Sequence, residues 1–323
     1  MDKVLERLLE RLLDTFSVSG REQKVREVIK EELNSMASPF EIKEDKMGNL
    51  IVKLGSGDTK VMLCTSMDNS GVMATFIEDN GLIRVSPVGD FSYETLVGNF
   101  ARFENGVLGR IGSAKDKPSE NDLFIDIGVS SRQEALKKVN EGDIAEFIGN
   151  KLEVENKIIA SNLHNKLGCY ALLQIIKELE STDKELYFVF TAEDKVGYRG
   201  ARAAAFEIKP DMCIVIGSIK TGDTIGAKGK IKVEGGPVTS IFDKGLVIDH
   251  EIKENIEKAA EKLNIKLQYS IDDGKNQGGL IHKEVGGIKT GMIGIPCRYK
   301  DTIGEMISLK DVEDTVKLIK KLI

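Results

Sequence analysis

The sequence predicts an α/β fold, a mixed sheet flanked by helices, with a small β-barrel inserted into it. Three observations predict this. The chain opens on two amphipathic helix patterns leading into strands, residues 71–158 carry short strands separated by glycine-rich turns, and residues 167–323 alternate helix and strand. Alternation implies a mostly parallel sheet covered on both faces, and regularly spaced short strands with turn signals imply a barrel. The expected division is an α/β domain made of 1–70 and 159–323, interrupted by a barrel over 71–158.

Each element has its own signal. Val4, Leu5, Leu8, Leu9 and Leu12 recur at helical spacing, as do Val25, Val28, Ile29 and Leu33. Ser19-Gly-Arg-Glu22 before the second run reads as a capping box. Residues 41–46 and 49–54 read as strands around Met47-Gly48, followed by a strand over 60–65. In the middle region, strands are expected at 81–85, 96–97, 107–111 and 122–127, with a helix over 130–139 and a turn at Gly142-Asp143. Further on, helices over 167–179, from 200, over 252–263 and over 312–322 interleave with strands over 185–191, 212–217 and 288–295.

Composition narrows the function. A chain of 323 residues, 41% hydrophobic and 30% charged, can bury a real core. A net charge of −6 without a basic stripe argues against nucleic acid as a partner. No 18-residue apolar run is present, so no membrane-spanning helix is expected, and Met1 to Asp14 is charged and helical in pattern, unlike a signal peptide. A cytoplasmic location is the expectation. Cys64, Cys169, Cys213 and Cys297 each sit in an apolar pattern and read as small buried hydrophobes; a soft-metal site from Cys64 and Cys297 is the alternative. Neither a Gly-x-Ser-x-Gly elbow nor a phosphate or dinucleotide fingerprint appears, and His250 and His282 read as structural or surface groups.

Four stretches carry the functional signal: Val61-Met-Leu-Cys-Thr-Ser-Met-Asp-Asn-Ser-Gly71, Ala160-Ser-Asn-Leu-His-Asn-Lys-Leu-Gly-Cys169, Phe190-Thr-Ala-Glu-Asp-Lys-Val-Gly-Tyr-Arg-Gly-Ala201 and Gly294-Ile-Pro-Cys-Arg-Tyr-Lys-Asp-Thr-Ile-Gly-Glu305. In order and surroundings they resemble the dinuclear-zinc aminopeptidases that assemble as tetrahedral particles, the glutamyl and deblocking aminopeptidases. The resemblance runs from about residue 3 to 322. It implies a zinc-peptidase-like mixed sheet, a peptide-hydrolase scaffold and a homo-oligomer up to a dodecamer, built largely from dimers that use the inserted domain.

The resemblance also implies which positions should hold the metals, and there this chain departs from it. Ser66 stands at the first ligand histidine, and Asp68 keeps the position that orients that histidine. His164 stands at the bridging aspartate within His164-Asn165-Lys166. An imidazole nitrogen binds one metal through one lone pair, so a carboxylate-type bridge is lost; His164 either holds a single ion or fills the vacated space. Asp194 stands at the general-base glutamate, one methylene shorter, which withdraws the carboxylate by roughly 1.5 Å. Lys195 stands at a zinc-binding carboxylate, and an ammonium has no free lone pair. Either its charge replaces the metal's beside Asp68, Asp194 and Asp301, or the side chain reaches out to solvent. Gly217 stands at a ligand aspartate and has no side chain. Asp301 stands at the last ligand histidine and is the mildest change. Glu193, Arg298 and Tyr299 are expected in the pocket.

Two readings follow. One is a non-catalytic homologue that binds a peptide or small molecule, or assembles as a homo-oligomer or with an active paralogue, with no metal cofactor. The other is an active metallo-aminopeptidase with one divalent ion, zinc, cobalt or manganese, held by His164 and Asp301. A pocket turned to other hydrolytic or carbohydrate chemistry has no positive support in the sequence.

Overall fold

The computed structural model describes residues 3–36, 39–179, 181–271 and 274–323, with side chains from Arg7 onward. Helices α1 (Lys3–Asp14) and α2 (Gln23–Asn34) bury the apolar stripes their spacing encodes: Leu8, Leu9 and Leu12 on the first, Val25, Ile29 and Leu33 on the second. The side chains of Val4 and Leu5 lie outside the described residues. The expected capping box does not form. Glu22 is itself the N-cap of α2 without a side-chain cap bond, and Ser19 Oγ instead donates to Asp68 Oδ2 at 2.7 Å. A hydroxyl in reach of a buried carboxylate satisfies a costlier group than a helix end does.

Strands β1 (Glu41–Glu44), β2 (Leu50–Leu54) and β3 (Lys60–Ser66) open the sheet. The barrel strands are β4 (Gly71–Ile77), β5 (Ile83–Val88), β6 (Phe100–Phe103), β7 (Leu108–Ser113), β8 (Leu123–Asp126) and β9 (Ile144–Ile148), with helices α3 (Tyr93–Leu96) and α4 (Arg132–Leu136) between them. They close in the order β4-β5-β8-β7-β6-β9 around Val72, Ile83, Phe103, Ile111 and Ile125. The strand expected at 96–97 is a correction: Leu96 ends α3, buries its side chain, and the strand starts at Phe100. The helix expected over 130–139 is shorter, Arg132–Leu136, and is capped by Ser131, which accepts from Glu134 N.

Strands β10 (Leu152–Val154) and β11 (Lys157–Ala160) lead out of the barrel, and β11 pairs with β17 (Glu305–Ser308). Then come α5 (Leu163–Glu178), β12 (Glu185–Thr191), α6 (Arg199–Ile208), β13 (Met212–Lys220), β14 (Val238–Phe242), α7 (His250–Lys262), β15 (Gln268–Ile271), α8 (Gly278–Ile281), β16 (Lys289–Cys297) and α9 (Leu309–Leu322). Among the described residues the main sheet runs β1-β2-β12-β3-β13-β16-β14-β15. Its centre, β12-β3-β13-β16, is parallel, while β1, β2 and the β14–β16 pairing are antiparallel. The sheet is therefore mixed: its centre and the β14–β15 edge pair match the parallel expectation, and the remaining pairings do not.

Helix α5 packs across that centre and is buried on all sides from Leu163 to Ile176. A helix apolar all round belongs inside a core, and each fully buried Leu or Ile there contributes about 1.5–3 kcal/mol. Gly168 permits the approach, since a Cβ at this position would lie 1.9 Å from Thr65 Oγ1. The helix starts four residues before the expected 167. Its first turn is polar, and its lysine is held by tertiary partners: Lys166 Nζ donates to Ser17 Oγ and, at 2.6 Å, to Met67 O. None of the described helices is long and apolar enough to cross a membrane.

Candidate functional site

Parallel strands end on one side of a sheet, and α/β proteins place ligands outside those carboxyl ends. Here β3 ends at Ser66, β12 at Thr191, β13 passes Gly217 and β16 ends at Cys297. The loops beyond them, with the first turn of α5, enclose a cavity of about 650 Å³ lined by Ser66, His164, Asp194, Lys195, Gly217 and Asp301 among others. Six positions named from sequence thus converge.

The first wall is built on Asp68, which is fully buried. Its carboxylate accepts from Ser19 Oγ at 2.7 Å, Asp194 N at 3.1 Å and Lys195 N at 2.9 Å. Burial, with Asp194 and Glu22 nearby, pushes its pKa up to about 7 despite Lys195. Asp194 is buried too, and its Oδ1 has no hydrogen-bond partner among the described residues. Lys195 Nζ lies 3.5 Å from Asp194 Oδ2, and its side chain is 17% exposed. The lysine therefore turns into the cavity and not out to solvent.

The second wall is His164, Asp301 and Glu305. Glu305 is fully buried and accepts from His164 N at 2.8 Å and Asp301 N at 2.7 Å. His164 Nδ1 lies 2.6 Å from Glu305 Oε1, and Nε2 lies 3.7 Å from Asp301 Oδ1. Nδ1 is thus in close ion-pair contact with Glu305, whereas Nε2 is beyond hydrogen-bond reach of Asp301 and is buried without a partner among the described residues. Burial pushes the His164 pKa down, Glu305 opposes this, and Lys195 and Lys300 add to it. Burial pushes the Asp301 pKa up, but Lys300, His164 and Lys195 outweigh it and the net direction is down. Lys300 Nζ sits 3.0 Å from Asp301 Oδ1. Asp301 holds a positive φ of 66°, and Tyr299 one of 58°, a sparsely populated region for such residues.

Between the walls, Ser66 Oγ approaches Asn165 Oδ1 at 3.4 Å. A Cβ added at Gly217 would meet only Met292 Cε, at 3.3 Å, so a side chain fits there with a small shift.

Three expected pocket residues do not line the cavity. Glu193 pairs with Arg199 at 2.9 Å, and its backbone N donates to Glu22 Oε1. Arg298 grips Asp223 through Nε at 3.1 Å and NH2 at 2.5 Å. Tyr299 is half exposed. In each case a nearer opposite charge or the left-handed backbone turns the side chain away. Sequence reasoning missed Glu305, Lys300 and Asn165. All three lie in the quoted motifs, but no spacing rule marks them.

The cysteines are buried and free. Cys64 Sγ lies 3.8 Å from Cys213 Sγ, and contact with Cys213 plus burial raises its pKa well above the ordinary value. Cys297 Sγ faces Arg298 O. The Cys64–Cys297 metal pair is thus a correction: among the described residues the group of side chains able to hold an ion is His164, Asp301 and Glu305, with no cysteine. His250 is exposed, and His282 Nδ1 contacts Gly278 O at 2.9 Å.

A parallel-centred sheet, a closed barrel leaving and rejoining it, and a polar cluster at the strand ends define an aminopeptidase-type α/β scaffold. The chain belongs to the M42 glutamyl aminopeptidase family, whose model matches residues 48–318. A chain from Acetivibrio thermocellus, described only provisionally as an aminopeptidase, is 40% identical over 324 residues, covering 98% of this chain and 97% of the relative. The lysyl aminopeptidase of Pyrococcus furiosus is 30% identical over 339 residues, covering 98% of this chain and 96% of its own. The TET1 peptidase of Pyrococcus horikoshii, which can assemble into a tetrahedron or a large octahedral shell, superposes with a TM-score of 0.90 at 28% identity, covering 98% of each chain.

The residues present do not fit the pair of zinc ions that the resemblance implies. A hydroxyl, an ammonium and a glycine offer no competent donor at three of the positions. The Lys195 ammonium 3.5 Å from Asp194 would also meet a bound cation at close range.

Proposed function

We propose that this protein is an aminopeptidase-family homologue that binds a peptide-like ligand in the cavity without hydrolysing it, with the Lys195 ammonium standing in for a metal ion. The observation that carries this reading is the inward lysine, 3.5 Å from the acid at the general-base position, Asp194. It supplies positive charge beside Asp68 and Asp194, while Lys300 already balances Asp301. Asp68, at the position that orients a ligand histidine in the resembled family, serves here as an acceptor for three donors of the chain itself. In this reading no metal cofactor is required. The Nε2 of His164 and Oδ1 of Asp194, both without a partner among the described residues, then remain for the ligand, since buried polar groups are normally satisfied.

The likeness to the TET1 peptidase supports a homo-oligomer, up to a dodecamer, of this chain alone or mixed with an active paralogue. The region 71–158 is taken as the unit inserted between 1–70 and 159–323, and as the part that forms dimers. A cytoplasmic location belongs to the same reading.

One observation favours a second reading, an active enzyme with a single ion. His164, Asp301 and Glu305 bring one ligand atom each within 4.8 Å of one another. A panel of aminoacyl chromogenic substrates, with zinc, cobalt or manganese added, separates the two. The expected result is no turnover with any metal. Turnover with stoichiometric metal, abolished by His164→Ala, would establish the single-ion enzyme instead.

A further inference from the structure

The site cavity opens into a second, outer one of about 690 Å³, with Ser218, Lys275, Lys300 and Asp301 lining both. Its charge is opposite to that of the molecule. The chain as a whole carries −6. The outer cavity is lined by five lysines, Lys220, Lys228, Lys230, Lys275 and Lys300, against two aspartates, Asp243 and Asp301. Lys300 is held by Asp301 at 3.0 Å. Asp243 turns its carboxylate to the backbone N of Gly245 and Leu246, at 2.6 and 2.8 Å, and to Asn276. Lys220, Lys228, Lys230 and Lys275 are exposed and have no ion-pair partner among the described residues.

The excess is built into one stretch of chain. Residues 220–232 hold four lysines and a single acid, Asp223. Asp223 does not line the cavity; its carboxylate takes Arg298 and, at 3.1 Å, Val233 N. Gly229, between Lys228 and Lys230, packs so closely on Gly222 that a Cβ added at Gly222 would lie 2.2 Å from Gly229 Cα. Gly222 N also donates to Ile231 O at 2.8 Å. The backbone under both lysines is thereby fixed against the end of β13, which carries Lys220. Asp272 and Asp273, beside Lys275 in sequence, lie outside the described residues; the three lysines of the β13 side carry the assignment that follows.

A second observation points to a ligand where the cavities join. Ser218 is buried and lines both, and its Oγ has no hydrogen-bond partner among the described residues. Buried hydroxyls are normally satisfied, so a ligand running from one cavity to the other meets a free donor there. A concave wall of one sign concentrates counter-charge. Lysines place point charges on long stems instead of a rigid fork. Charges spread along a wall in this way match carboxylates spaced along a chain better than one compact anion.

We propose that the outer cavity binds acidic side chains of a peptide whose terminal residue occupies the inner one. This rests on the reading of the protein as a peptide binder and deepens it by naming the class of ligand. It concerns the residues that follow the terminal one.

Three peptides tested on the full chain decide this. Each begins Ala-Ala, so the terminal residue is constant, and continues with four Glu, four Gln or four Lys. Binding is read by the anisotropy of a neutral C-terminal dye, with EDTA present, at roughly 50 mM salt, where exposed charges are weakly screened. A chain of charge −6 repels the Glu peptide and attracts the Lys peptide at long range, so only a local basic site reverses that order. The expected result is tightest binding of the Glu peptide, by about tenfold over Gln, the sum of several exposed ion pairs, with Lys weakest and the margin shrinking in high salt. The variant Lys228→Gln, Lys230→Gln should cut the margin about threefold or more and leave the affinity for the Gln peptide unchanged, which also shows that it is folded. Equal affinity for the Glu and Gln peptides, or a margin untouched by the double variant, overturns the acidic subsite and leaves the peptide-binding reading standing. Binding of none of the three overturns both. Displacement of the Glu peptide by inorganic phosphate at constant ionic strength makes the cavity a site for small anions and overturns its assignment to a peptide.

Discussion

The two walls of the cavity solve the same electrostatic problem differently. On the first, Asp68 and Asp194 face Lys195, and the protein carries its own cation. On the second, His164 Nδ1 meets the buried Glu305 carboxylate at 2.6 Å, Nε2 lies 3.7 Å from Asp301, and Lys300 balances Asp301 from the side. On the first, backbone donors and a hydroxyl satisfy Asp68, while Asp194 Oδ1 has no partner among the described residues. On the second, His164 Nε2 is buried beside Asp301 without a partner among the described residues. In the proposed reading, the first wall balances its own charge and the second keeps an unmatched ring nitrogen for a ligand.

Removing the internal cation is the largest single disturbance to this contrast. Lys195→Met leaves Asp194 and Asp68 facing each other without a counter-charge, and urea unfolding at about pH 8 should show a loss of about 1–3 kcal/mol. The loss should shrink toward about pH 5. Asp68 has a folded pKa of about 7 against an ordinary 3.8, so its contribution to stability is complete below 3.8 and is lost as pH rises through 7. Lys195→Arg, which keeps the charge, should lose less. An equal loss at both pH values would mean that Lys195 matters for packing and not for charge.

A smaller effect of opposite sign belongs to the second wall. The folded pKa of His164 lies below its ordinary 6.5, so the native state resists the proton and stability is lost as pH falls below 6.5. His164→Gln should flatten the stability profile between about pH 6.5 and 5 and leave it unchanged at about pH 8. A profile as steep as that of the parent would place the acid sensitivity elsewhere.

The sequence was most informative where a periodic pattern coincided with a buried face. The stripes of α1 and α2, the apolar runs of β3 and β12 and the amphipathic α9 are all where the spacing puts them. Three barrel strands were missed for physical reasons. In β4 a bulge between Ala74 and Phe76 breaks the alternation, β6 is only Phe100–Phe103, and β9 buries Glu146 among apolar neighbours because Arg102 on β6 pairs with it. The site was legible as positions but not as contacts. Ser19 and Glu22 look like helix-capping residues, yet they satisfy Asp68 and the Glu193 backbone. Glu193 looks like a pocket acid until Arg199 is seen beside it. Glu305 carries no pattern of its own, because its role comes from two backbone amides brought together only by the fold.

The central claim is that Lys195 takes the place of a metal, and zinc stoichiometry after equilibrium dialysis tests it most directly. Two chains are compared: the protein itself, and a variant carrying Ser66→His, His164→Asp, Asp194→Glu, Lys195→Glu, Gly217→Asp and Asp301→His together. A Cβ at Gly217 meets only the flexible Met292 Cε, at 3.3 Å, and two ions need most of their ligands at once. The predicted result is less than one zinc per chain for the parent and tight binding in the six-fold variant, with single substitutions leaving the parent value unchanged. Stoichiometric zinc in the parent, lost on His164→Ala, would contradict the account.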